Sequence, residues 1–82
     1  MKHAQDEALD MLEPLLVSLR EFTSLTERKR GVFYRKGRAF LHFHEDPTGL
    51  YADMRAEEDF TRYPVGNKAS QRALLKAVRD VL

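Results

Sequence analysis

Two short turn signals, Lys36-Gly37 and Asp46-Pro47-Thr48-Gly49, divide residues 31–55 into three strand-like runs, and no other pattern limits the fold as much. Val32-Phe33-Tyr34-Arg35 and Arg38-Ala39-Phe40-Leu41-His42-Phe43 are rich in β-branched and aromatic residues. They flank a two-residue, glycine-containing turn, which predicts a hairpin. In the second turn proline presets φ and glycine supplies a positive φ, so Leu50-Tyr51-Ala52-Asp53-Met54-Arg55 returns as a third strand. A three-stranded antiparallel meander from Gly31 to Arg55 follows.

A helix is expected on each side of it. Leu12, Leu15, Leu16, Leu19 and Phe22 recur at spacings of three and four and share one face. Asp10 and Glu13 have capping-box spacing, with Pro14 in the first turn. A longer helix from about Ala4, kinked at Pro14, is the competing reading. Arg28, Lys29 and Arg30 before Gly31 suit a helix C-terminus, although Thr23, Ser24 and Thr26 suggest earlier fraying. Beyond the meander, residues 56–66 read as a loop anchored by Phe60, Tyr63 and Val65, with Pro64 limiting any edge strand. Asn67 or Ser70 then caps a helix whose stripe is Ala73, Leu74, Ala77, Val78 and Val81. The expected architecture is a single α+β domain over residues 1–82, ordered α-β-β-β-α, with both helices packed on one face of the meander.

Counting outward from the turns predicts a register. Tyr34 opposes Ala39, Phe33 opposes Phe40 and Val32 opposes Leu41; Glu45 opposes Leu50, His44 opposes Tyr51, and His42 opposes Asp53. Alternation places Val32, Tyr34, Ala39, Leu41, Phe43, Leu50, Ala52 and Met54 on one face, suited to receive the helices. The other face carries Phe33, Arg35, Arg38, Phe40, His42, His44, Tyr51, Asp53 and Arg55, and two helices leave it open.

Apolar residues exposed together mark contact with something. The leading expectation is therefore an interaction module that homodimerises through Phe33 and Phe40, or binds a protein partner there. The alternative is nucleic-acid binding, with aromatics stacking on bases while Arg35, Arg38 and Arg55 contact phosphate. A third reading is a metal site: His42-x-His44 puts two imidazoles on one strand face opposite Asp53, with Glu45 or Asp46 in reserve, although HxH alone is a two-residue signal. His3, near the terminus, carries no role by itself.

Charge and composition bound the rest. The net charge of +1 hides blocks of −4 over residues 1–27, +6 over 28–44, −5 over 45–60 and +4 over 61–82. Blocks this short suit solvated faces that complement one another in the fold. The 82 residues contain no cysteine, which excludes disulfides, thiolate–zinc sites and cysteine nucleophiles. Acids in the first twelve residues break any signal-peptide core, and no apolar run reaches the roughly 20 residues of a membrane span, so a cytoplasmic location without membrane contact is expected. Phosphate-loop and nucleophile-elbow patterns are missing, so neither catalysis nor a cofactor is expected.

The run GVFYRKGRAFLHFHEDPTGLYADMR resembles small bacterial domains of unknown function with the same strand, KG-type turn, strand, DP-G turn, strand order. It is also distantly similar to the meander of the YjbR-like proteins. That resemblance implies a sheet flanked by helices. It supplies no catalytic motif, and the chain is shorter than members of that family usually are.

Overall fold

In the computed structural model, which describes residues 2–82, the leucines that recur at helical spacing all turn inward: Leu9, Leu12, Leu15, Leu16 and Leu19 are buried. They lie on two short helices, α1 (Asp6–Met11) and α2 (Glu13–Arg20). The helical stretch begins earlier than Asp10, and Leu12 forms both the end of α1 and the start of α2. Pro14 explains the break, because it has no N–H to offer the carbonyl four residues back and is tolerated only in the opening turn of α2. Asp10 makes no helix cap; its carboxylate instead accepts from Arg30 Nη1 at 2.8 Å.

The sheet is wider than a meander. Its strands are β1 (Lys2–His3), β2 (Thr26–Lys29), β3 (Val32–Arg35), β4 (Arg38–Asp46), β5 (Gly49–Ala56) and β6 (Asp59–Pro64). Five run antiparallel in the order β2-β3-β4-β5-β6, and β1 pairs with β4 beyond the end of β3. Two segments expected to be irregular are therefore strands. Residues 26–29, read as the fraying end of a helix, form an edge strand with a bulge, and residues 59–64, read as a loop, form the opposite edge. The β5–β6 turn puts Glu57 at φ +66°, a conformation that glycine would have advertised and glutamate does not.

The β4–β5 register matches the count from the turns, pairing His44 with Tyr51, Phe43 with Ala52, His42 with Asp53 and Leu41 with Met54. The β3–β4 register matches only next to its turn, where Lys36 (φ +52°) and Gly37 (φ +80°) connect Arg35 and Arg38. Beyond Tyr34–Ala39 a bulge intervenes, so Phe33 pairs with Leu41 instead of Phe40. This reverses the expected faces of β3. Phe33 turns to the helices and is 1% exposed, and Phe40, the extra residue, is 3% exposed within the same core. By alternation Tyr34 takes the opposite face, and Arg35 and Arg38 leave it.

The third helix, α3 (Lys68–Val81), completes the core with Leu74 and Val78. Asn67 and Ser70 cap it together: Asn67 Oδ1 accepts from Ser70 N–H at 2.8 Å, and Ser70 Oγ accepts from Asn67 N–H at 3.2 Å. The helices gather on the face carrying Phe33, Leu41, Phe43, Ala52 and Met54, leaving the other face to the sheet's own side chains. Among the described residues no helix is long and apolar enough to cross a membrane.

Candidate functional site

On that uncovered face the registers line up two rows of chemistry-bearing side chains. His42, Asp53 and Arg62 oppose one another across β4, β5 and β6; His3, His44, Tyr51 and Pro64 do so across β1, β4, β5 and β6. Of the residues expected at the site, His42, His44, Tyr51, Asp53 and Arg55 come together. Phe33 and Phe40 do not, because the β4 bulge takes both into the core. Arg35 and Arg38 lie at the far hairpin end, where Arg38 approaches Glu58 at 3.9 Å.

Three residues the sequence did not mark as functional join the cluster. His3 arrives on β1, held by backbone pairing with β4 and by the following contacts Ala4 N–H to Phe43 O (3.1 Å) and Gln5 N–H to Glu45 Oε2 (2.9 Å). Arg62 and Phe60 arrive on β6, in the segment expected to be a loop with at most a short edge strand. No local signal could have placed His3, since a two-residue strand has no periodicity and its partner lies about forty positions away.

Asp53 is the anchor. Although on an uncovered face, it is 9% exposed, and Arg62 grips it with two hydrogen bonds, from Nε to Oδ1 at 2.7 Å and from Nη2 to Oδ2 at 2.8 Å. These bonds hold the Asp53 carboxyl below the usual aspartate range, against the opposing effect of burial. Asp53 opposes His42 in register, yet its close contact is diagonal, with His44 Nε2 at 3.1 Å from Oδ2. That approach lacks the alignment of a hydrogen bond, so among the described residues neither nitrogen of the 8% exposed His44 ring has a hydrogen-bond partner, and the buried His42 Nδ1 likewise has none.

The three imidazoles crowd one another. Ring centres are 4.9 Å apart for His42 and His44, 4.8 Å for His3 and His44, and 5.6 Å for His3 and His42. Phe60 walls the other side of His42 at 4.9 Å. Burial first, and then the neighbouring His44, push the His42 pKa down, so this ring favours its neutral form. Each histidine offers a nitrogen within 4.8 Å of those of the other two.

The arginines of this face are already engaged. Arg62 is spent on Asp53, and Arg55 donates from Nε to Ala39 O at 2.8 Å with its guanidinium 4.6 Å from the Phe60 ring centre. Arg28 from β2 lies 4.3 Å from the Tyr34 ring centre. A separate cleft of about 890 Å³ opens between the start of α1 and the β2–β3 turn, lined by Leu9, Gly31 and Phe43; of the cluster only His3 reaches its rim.

Comparison with protein-family models, with curated proteins and with solved structures finds no match for this chain.

Proposed function

We propose that this chain is a non-enzymatic binding module that works through the uncovered face of its sheet, with His3, His42, His44, Asp53 and Arg62 as the binding point. One observation carries the reading: among the described residues, His42 Nδ1, His44 Nδ1 and His44 Nε2 are buried without a hydrogen-bond partner. A buried polar atom left unpaired costs about 1–3 kcal/mol, and a small domain keeps such a cost where a ligand repays it. The same geometry argues about the kind of ligand. An apolar contact with a second copy would need exposed Phe33 and Phe40, and both are core residues. Nucleic acid would need free guanidinium groups, and Arg55 and Arg62 are bound within the sheet. Ring nitrogens and one anchored carboxylate remain, which suits a small, electron-accepting ligand better than a broad macromolecular surface.

The test needs no knowledge of the ligand. Replacing both His42 and His44 by valine keeps strand-forming residues and removes the unpaired nitrogens. In the presence of a chelator the His42→Val/His44→Val protein is expected to melt higher than wild type by several degrees, since 1 kcal/mol moves the midpoint of a domain this size by roughly 4–8 °C. A lower melting point would show that the rings hold the fold together, and the reading would fall.

A further inference from the structure

We infer that His3, His42 and His44 form a three-histidine site for a divalent transition-metal ion of the zinc, cobalt or nickel type, an inference that rests on the binding reading above and names its ligand. Imidazole nitrogen suits these ions, whereas calcium and magnesium need oxygen-rich sets that this cluster lacks. The spacing agrees with the chemistry. A tetrahedral ion at zinc–nitrogen distances of ~2.0–2.1 Å places the centres of its imidazole rings about 5 Å apart. The three rings stand 4.8, 4.9 and 5.6 Å apart. Their nitrogens, within 4.8 Å of one another, must draw together to roughly 3.3 Å around such an ion, a movement that side-chain rotation supplies.

The surroundings are those a metal-binding histidine needs. A ligating imidazole ordinarily donates its other N–H to a carboxylate, which fixes the tautomer and raises its basicity. His44 Nε2 already faces Asp53 Oδ2 at 3.1 Å, and a small turn of the ring lines it up as a donor, leaving the buried, unpaired Nδ1 as the ligating atom. Arg62, with two hydrogen bonds to it, fixes Asp53 in place for that role. His42 Nδ1 is the second buried lone pair. His3 is exposed and closes the set from β1, so the fourth position is left to water.

Because His3 belongs to a two-residue strand, the ion also ties the N-terminal segment to the sheet. Occupancy then protects the Ala4 amide, which donates to Phe43 O, against hydrogen exchange.

The experiment uses untagged full-length protein titrated with Co²⁺, followed by visible absorption and calorimetry, and then competed with Zn²⁺. The expected result is one ion per chain, intense tetrahedral-type cobalt absorption displaced by zinc, and slower exchange at Ala4. His3→Ala, on a terminal strand and outside the core, is expected to keep the fold and to weaken binding at least tenfold. His42→Ala and His44→Ala abolish the absorption, and Asp53→Asn weakens binding about 10- to 100-fold. A wild type that takes up neither ion at millimolar concentration overturns the inference, as does binding that His3→Ala and His42→Ala leave unchanged. If the metal is refused while His42→Val/His44→Val melts higher than wild type, the binding reading stands with another ligand; if the double variant melts lower, both fail.

Discussion

Gly31, between β2 and β3, sits at φ +79°, and a Cβ built on it would stand 2.7 Å from Leu9 Cδ2. Glycine is needed there twice over, for the left-handed backbone and for the approach of α1. Gly31→Ala is expected to cost about 2 kcal/mol, lowering the thermal midpoint by roughly 8–16 °C in a calorimetric scan. An unchanged midpoint would mean that the turn and Leu9 rearrange together. Other single residues were less legible. His42, His44 and Asp53 could be gathered from spacing and register alone, because the β4–β5 pairing that holds them runs without a register shift. His3 could not, for its place depends on a pairing that no neighbouring residue announces. The bulge left one trace, the uninterrupted apolar run Ala39-Phe40-Leu41 where a half-buried strand should alternate.

At the scale of elements, what could be read followed burial. The long pair β4 and β5 buries one face and shows it, whereas β2 and β6 are mostly exposed edges with nothing to alternate against. The charge blocks proved partly complementary. Arg30 donates to Asp10 and Glu13, Arg20 donates to Glu13 and Glu27, and Glu27 Oε2 accepts from Gly31 N–H, so one chain of ion pairs joins α1, α2, β2 and the following turn. Hydrogen bonds from Arg30 and then Arg20 lower the Glu13 pKa, and the bond from Arg20 lowers that of Glu27. A carboxylate whose folded pKa is depressed contributes fully above its ordinary value, 4.5 for these groups, and loses that contribution as pH falls through the folded value. The melting temperature should therefore drop as pH goes from about 5 to 3, and Arg20→Gln should flatten that slope while lowering stability near neutrality. A variant with the wild-type slope would show that these pairs contribute nothing measurable, as many exposed pairs do.

For the molecule as a whole, the deciding fact is that helices and sheet share one core and all three phenylalanines of the meander, Phe33, Phe40 and Phe43, belong to it. Phe40→Ala is expected to cost about 3–5 kcal/mol, a large part of what so small a domain has. Denaturant titration reads this directly. Light scattering on Phe40→Glu should report loss of the compact fold, not the separation of a dimer into intact halves. The extra residue in β4 acts as a change of parity. On one side of it odd-numbered β4 residues belong to the interior, and on the other the count is shifted by one, so the two ends of a single strand obey opposite rules. Were residue 40 paired regularly with Phe33 and not bulged, one rule would hold throughout, and the first hairpin would offer Val32 and Tyr34 to the helices in place of Phe33. One bulge thus separates a sheet with Phe33 and Phe40 on its outer surface from one that keeps both inside.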